Sequence, residues 1–555
     1  DANATGANDG SSWCNAFTAL SQALQNAAAN NVGTMKVAKG SYAPSTIGLS
    51  DPRTATFVPF WATSGCEMIG GFAGCGAPDP DAYDPETNVT TLSGDLGIQG
   101  DDSDNAYSVV KDVNGVLSGL FKGFMVTGGN ANGPLQSGTD IGGGAFFSGS
   151  PIVQRCRFVS NKARRNGGGA YFTHGVGQTE FSPQVDQCRF DLNQAGSGAG
   201  VYCVARRAKF NGGRFEANQA LGYTDQSGFH VLGWGAAVLL NPGNISGGAN
   251  VTEFANLTFA RNDAEDGGAI HSGGSPSLDN VRFNTNRARR VGGGLFNFGF
   301  QQLVPTSGQV TMTNATVADN VATLQAGGLF LSEGTLDLKN SNIWANTAMQ
   351  TMGVEDPQIG LFAMAATANW SNVEGGWKGA GTNNFDVNPR MTPDGHLSAD
   401  SPLINAGDPG FVPSPSGASE GDADPRIHGG RVDIGADEFR DTDADGLPDY
   451  WEAAYAAAAS VVSATADLGP NDDLDLDGMT NREEYEQFGS KPVGATQWVD
   501  CTTGDDTYDG SSPTYLGGLA GPKKNIQPAL DAAGDGDTVM VMPGTCFGAL
   551  NRNLD

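Results

Sequence analysis

The 555-residue sequence predicts an all-β fold, a right-handed parallel β-helix, on three observations. First, between Gly142 and Asn346 one pattern returns seven times: glycines open an apolar run, and an aromatic or branched residue later stands three places before an asparagine. The glycine clusters fall at 142–144, 167–169, 196–200, 233–235, 267–268, 292–294 and 327–328. The closing pairs are Phe158/Asn161, Phe190/Asn193, Phe215/Asn218, Phe259/Asn262, Phe283/Asn286, Val317/Asn320 and Ile343/Asn346. Second, segments inside a copy, such as 168–182 and 184–190, alternate apolar and polar residues between turn residues and lack a helical period. Third, 81 glycines and a charged fraction of 17% suit a corner-rich β architecture, and no three-residue period points to collagen.

Successive asparagines lie 24 to 44 residues apart, so each copy is one supersecondary unit that buries its apolar face against its neighbours. Asparagine and glycine tolerate left-handed backbone, which places a sharp corner at the same phase of every coil. Stacked corners should then form an asparagine ladder and stacked phenylalanines should fill the bore, rising about 4.8 Å per coil.

The elements "GGGAFF", "GGGAYF" and "DGGAIH", paired with "RFVSN", "RFDLN", "RFEAN" and "RFNTN", resemble the repeats of bacterial polymorphic outer-membrane proteins and similar secreted β-helix proteins. The resemblance implies an extracellular or cell-surface location. It is specific for fold and says little about function, which has to be argued from a site.

Taken in order, residues 1–60 read as an N-terminal helical cap: "DGSSWCNAF" is a loop, "FTALSQALQNAAA" has apolar residues at helical spacing, and "TMKVAKGSY" is a strand. A helix over the first coil hides an edge and core that would otherwise be exposed. Residues 61–440 form the β-helix proper, irregular at first, clear over 142–346, and closing over 385–440. There "DGHLSADSPLINAGDP" and "GDADPRIHGGRVDIGADEF" resemble the closing segment of the same secreted proteins, implying an end near Phe439.

Residues 441–490 predict paired calcium loops. Asp441, Asp443, Asp445, Leu447, Asp449 and Glu452 take positions 1, 3, 5, 7, 9 and 12 of a twelve-residue loop, with Gly446 at the turn. Asp473, Asp475, Asp477, Met479, Asn481 and Glu484 repeat it around Gly478. Alternate carboxylates, a backbone carbonyl and a final bidentate glutamate supply the six to eight oxygens that Ca2+ takes. The pair, separated by an alanine-rich helical stretch at 450–466, looks like dockerin loops and the thrombospondin type 3-like calcium repeats of bacterial surface proteins; the resemblance implies two structural ions.

Residues 491–555 repeat the first cap. "WVDCTTGDDTYDGSSPTY" and "KKNIQPALDAAGDGDTVMVMPGTCFGAL" parallel the opening, with Asp-Gly-Ser-Ser shared at 9–12 and 509–512. The chain starts in mid-motif at Asp1, which fits cleavage of a signal or precursor. It stops inside a second cap, so either it continues past Asp555 or another molecule completes the stack.

A net charge of −30 excludes nucleic acid as a general partner, and residues 420–487 hold 19 acidic against 4 basic side chains. No apolar run approaches the 18 or more residues of a membrane span. Eight cysteines without a zinc-like pair favour disulfides in an oxidising compartment. The expected bridges are Cys66–Cys75, around a short loop, and Cys501–Cys546, between neighbouring strands. Cys156 and Cys188 stack in successive copies as a bridge or a reduced ladder, and Cys14 and Cys203 are unassigned.

Arg164, Arg165, Arg289 and Arg290 occupy one corner phase, with Arg206 and Arg207 as a partial echo and Asp263, Glu265 and Asp266 at that corner of an intervening copy. Such a corner either binds an acidic polysaccharide or holds solvated charge. His174, His230, His271, His396 and His428 show no metal or relay spacing and read as surface or turn residues, and no nucleophile elbow is present. Two functions follow. One is a non-catalytic structural or surface protein, a filament subunit joined head to tail through its C-terminal cap and contacting a polysaccharide or a host or cell surface. The alternative is a polysaccharide-binding protein, lyase or hydrolase working in a lateral groove.

Overall fold

Short alternating strands broken by corners give parallel sheets when strands at the same phase stack coil upon coil. The computed structural model describes residues 1–59, 66–112, 119–174, 181–205, 207–241, 251–298, 308–350, 356–362, 365–414, 424–453, 469–472, 479–488, 496–508, 510, 521–533, 538–542, 546 and 551. These form two compact units: Asp1–Val387 with Ala406–Gly421 and Arg431–Ala436, and Asn388–Asn405 with Asp422–Gly430 and Asp437–Asp555.

The first unit is a parallel β-solenoid. Its largest sheet has 18 described strands, and two further sheets run coil by coil in single file. One goes from Val110–Lys111 to Ile359–Leu361 in nine strands, the other from Asn130–Ala131 to Thr347–Ala348 in eight. Register is kept along one line of the core: Phe158, Phe190, Phe215, Phe259, Phe283, Val317, Ile343 and Val373 pair in sequence. The rings of Phe158, Phe190 and Phe215 are 4.8 Å apart and nearly coplanar in orientation, and Phe259 and Phe283 continue the stack.

Beside this stack the seven asparagines form one buried hydrogen-bonded column. The Nδ2 of Asn193 donates to Asn218 Oδ1 at 3.0 Å and to the Phe158 carbonyl at 2.8 Å, while its backbone N–H also donates to Asn218 Oδ1. The arrangement repeats at Asn161, Asn218, Asn262, Asn286 and Asn320, each donating to the next asparagine. Asn346 donates to Gln358 Oε1, which ends the run.

The corner differs from the sequence expectation. The left-handed residue is not the asparagine but the one before it: Ser160, Leu192, Ala217, Arg261, Thr285, Asp319 and Ala345 have φ between 53° and 59°. The asparagine keeps ordinary backbone because its side chain is committed to the column. Each non-glycine corner costs about 1–2 kcal/mol, offset by the amide bonds the corner aligns. Glycine does hold the left-handed position at the other expected corner, as at Gly142, Gly167 and Gly198, with φ from 57° to 70°. A further constraint acts at Gly169, where a Cβ would lie 2.6 Å from the Gly200 carbonyl of the next coil.

Helix Leu20–Asn30 precedes the first coil strands, Thr34–Ala38 and Gly40–Tyr42, and buries Leu20, Leu24 and Ala27. The expected Cys66–Cys75 bridge is not formed. Cys75 pairs with Cys14, with Cα atoms 4.9 Å apart, because the chain's opening loop folds against residue 75. Cys66 is a buried free thiol in the core beside the strand Glu67–Phe72. Cys501–Cys546 forms as expected. Cys156 and Cys188 are reduced and buried, the Cys156 N–H donating to Cys188 Sγ at 3.4 Å, and Cys203 is also a free buried thiol.

The second unit contains helices Asn481–Phe488 and Ile526–Ala532 and a parallel pair, Thr496–Val499 with Thr538–Val541. No helix among the described residues is long and apolar enough to cross a membrane.

Replacing Asn218 by alanine strands donors and acceptors on both sides of the column. Its unfolding free energy should fall by about 2–4 kcal/mol in chemical denaturation, since each orphaned buried group costs about 1–3 kcal/mol. Lys209→Ala, which removes only an exposed pair with Glu253, should change it by less than about 1 kcal/mol.

Candidate functional site

An oxygen-only cluster stands out in the second unit. Asp441, Asp443 and Asp445 bring carboxylate oxygens within 4.8 Å of one another and could hold a metal ion. The loop is shaped by its own backbone. Asp441 accepts the N–H groups of Ala444 at 2.7 Å and Gly446 at 2.9 Å, and Asp445 accepts that of Leu447 at 2.8 Å. Gly446, at φ 97°, makes the turn that brings the chain back, and Leu447 is buried beneath it.

Glu452, in the expected twelfth position, is buried, and its Oε1 has no hydrogen-bond partner among the described residues. Burial first, and then the charges of Asp443, Asp445, Asp449 and Asp441, push its pKa up to about 8. Several carboxylates crowded together are what a hard cation relieves, and all the donors are oxygen. Asp449 departs from the expectation: its oxygens accept from the Thr442 N–H at 2.7 Å and hydroxyl at 2.5 Å, and Arg440 Nε lies 3.0 Å away.

Of the second loop, Asp473, Asp475 and Asp477 lie outside the described residues. Met479, Asn481 and Glu484 are described; Asn481 and Glu484 are buried at the start of the helix Asn481–Phe488, and Asn481 Nδ2 donates to the Gly469 carbonyl at 2.9 Å. Three residues that sequence spacing did not single out lie in or beside the loops. Arg482 donates to the Asp445 carbonyl at 2.7 Å, and Trp451 meets Tyr485 edge-on at 6.1 Å between ring centres. An aromatic placed next to each terminal glutamate, Trp451 before Glu452 and Tyr485 after Glu484, was the available signal.

The arginine corner is not brought together as a groove. Arg165 pairs with buried Asp140 at 2.9 Å, Arg289 with Asp263 at 3.1 Å and Arg290 with Asp266 at 3.2 Å. Arg164 is exposed without an ion pair among the described residues. Arg206 lies outside them, and Arg207 is exposed. Lys162 and Arg287 mark the two arginine coils, and four register steps separate them, about 19 Å at about 4.8 Å per step. The intervening acids are occupied too. Glu265 accepts from His230 Nε2 at 3.0 Å and from the Gly233 N–H at 2.6 Å, while burial raises Asp266 to about 6 despite Arg290.

The same economy applies elsewhere on the flank: Arg214 meets Asp191 and Glu216, and Lys339 meets Asp408. No protein-family model, no curated protein and no solved structure matches this chain.

His271 and His396 are buried and are not the surface or turn residues the sequence suggests, and His271 takes part in packing. It is buried, stacks on Trp234 at 5.2 Å and meets Phe296 edge-on at 4.8 Å. Burial lowers its pKa from 6.5 to about 3. The unfolded chain therefore takes up this proton first, so His271 favours folding fully above about pH 6.5 and progressively less as pH falls toward 3. The loss of stability between pH 7.5 and 4.5, read from urea midpoints, should be smaller in His271→Phe than in the parent protein; an equal loss would assign no such role to His271.

Proposed function

We propose that the chain is a secreted structural protein of a cell surface or extracellular matrix. In this reading the solenoid is a right-handed β-helix, helix Leu20–Asn30 caps its first coil, and residues 441–490 hold two Ca2+ ions that stiffen a linker. One observation carries the reading: three of the four corner arginines are spent on ion pairs with Asp140, Asp263 and Asp266. Such a flank stabilises the stack and leaves little free charge to hold an acidic sugar. A glycosidase needs two available carboxyl groups about 5–10 Å apart and a lyase needs an available base. Glu265 and Asp266 are instead engaged by His230, the Gly233 N–H and Arg290. Two disulfides, Cys14–Cys75 and Cys501–Cys546, suit an oxidising compartment.

Assembly is the sharper part of the proposal: residues 497–555 of one molecule dock on the first coil of the next, a head-to-tail contact that does not close. Sedimentation and electron microscopy should find fibres of the full chain and dispersed molecules when 497–555 are removed. Fibres that persist after removal, or a full chain that stays dispersed at every concentration, would reject it. Measurable cleavage or retention of an acidic polysaccharide, lost on changing Arg164, Arg165, Arg289 and Arg290 to alanine, would replace the structural reading with the groove reading.

For calcium, chelation should raise protease sensitivity within 441–490 and leave the β-sheet circular dichroism unchanged. Restoring Ca2+ should reverse the effect in the parent protein and not in Asp443→Asn/Asp445→Asn. Sensitivity independent of EDTA would remove the ions from the account.

A further inference from the structure

The largest sheet carries a second left-handed position, away from the asparagine column, that recurs in register from coil to coil. Asn256, Asn280, Asn314 and Asn340 hold it in successive coils, with φ from 47° to 54°. Asparagine tolerates this backbone, and here its amide is also used: Asn280 Nδ2 donates to Asn256 Oδ1 at 3.1 Å, and Asn256 Nδ2 to Asn211 Oδ1 at 3.2 Å. In an earlier coil the same position is Arg155, at φ 50°. A left-handed arginine is costly, and strain of this kind collects where a side chain is put to use.

The Arg155 side chain reaches Tyr83. Its Cζ lies 5.4 Å from the centre of the Tyr83 ring, and Lys122 Nζ, from the strand Leu120–Lys122 of the preceding coil, lies 5.0 Å from it. The loop that follows Glu67–Phe72 fixes the ring. The Ala73 N–H donates to the Ala82 carbonyl at 3.0 Å and the Asp84 N–H to the Gly71 carbonyl at 2.9 Å, and Tyr83 meets Phe72 at 5.4 Å between ring centres. Among the described residues neither Lys122 nor Arg155 has a carboxylate partner. Asp84, the nearest acid in the chain to Tyr83, is spent on the loop itself, accepting from the Glu86 N–H at 3.0 Å and the Thr87 hydroxyl at 2.9 Å.

Two more cations continue the strip. Arg157 and Arg189 pair in register, and both meet Glu86, Arg189 at 3.7 Å, so that one carboxylate serves two guanidinium groups. On a chain of net charge −30 the average field repels polyanions, and an anion is held only where cations are locally in excess.

We propose that Lys122 and Arg155, set against Tyr83 on the outer face of the largest sheet, bind one sulfate or carboxylate group of an acidic polysaccharide, with Arg157 and Arg189 receiving the next. The fork of the guanidinium and the point charge of the ammonium both suit such oxyanions. This face is separate from the arginine corner, and it adds a ligand to the structural role without resting on assembly.

The test measures retention of the full chain on immobilised dextran sulfate, polygalacturonate and neutral dextran, at low salt and in EDTA so that no calcium bridge contributes. The parent protein should be retained by at least one polyanion, dextran sulfate reporting a sulfate site and polygalacturonate a carboxylate site, and should pass through neutral dextran. Lys122→Gln/Arg155→Asn should weaken retention by about tenfold, since two charge-assisted contacts are lost. Its urea midpoint should stay at or above the parent's, because asparagine is the residue that later coils place at this backbone position. Lys209→Gln/Lys339→Gln, which removes the same two charges elsewhere on the same sheet, should bind like the parent. An equal loss in that control would assign retention to net charge and overturn the site. So would a parent chain that neither polyanion retains, or retention lost only on changing Arg164, Arg165, Arg289 and Arg290 to alanine. The fibre assay on the same variants reads the structural role separately.

Discussion

A single column of side-chain amides fixes the register of the solenoid. From Asn161 to Asn346 each carboxamide spends one N–H on the coil behind it and the other on the side-chain amide ahead, an asparagine or, for Asn346, Gln358, so no copy can slip against its neighbour without stranding buried groups. The column begins where the Gly129 N–H donates to Asn161 and ends at Gln358. Gln358 closes it by donating to the Asn346 carbonyl and to Glu374. The stacked rings of Phe158 through Phe283 follow from this register and add apolar burial along the same line.

From the column follow the features around it. Left-handed residues at Leu192 or Arg261 would be costly alone, but the next residue's amide has one place to go, and the corner is held. Carbonyls of successive coils approach so closely at Gly169 that only glycine fits. Charges on the outside meet partners one coil away, as in Arg165 with Asp140 and Arg289 with Asp263, so a surface that reads as basic in sequence is neutralised in the stack.

Repeats were legible because every copy places the same residue types at the same phase, which is why the parallel stacking, the asparagine column and the glycine corner could all be read from sequence. The second left-handed corner could not, since Ser160, Leu192, Ala217, Arg261, Thr285, Asp319 and Ala345 share no chemistry; the conformation there is imposed by the neighbours. Cys75 was assigned to the nearest cysteine in sequence, whereas folding of the opening loop brings Cys14 to it across 61 residues. In the acidic module, spacing pointed to Asp441, Asp443 and Asp445, whose carboxylates the fold brings together. The diversion of Asp449 was hidden because Arg440, just ahead of the loop, competes for it.

Distances along one edge test in-register stacking most directly. Gln219, Asp263, Arg287, Val321 and Thr347 pair in sequence, and Lys162 and Gln194 precede them on the same sheet. Spin labels at positions 219 and 347 should report a narrow separation of about 19 Å, and labels at 162 and 347 about 29 Å, a rise of about 4.8 Å per coil. Broad distributions, or separations that do not grow with the number of coils between the labels, would contradict the stack itself.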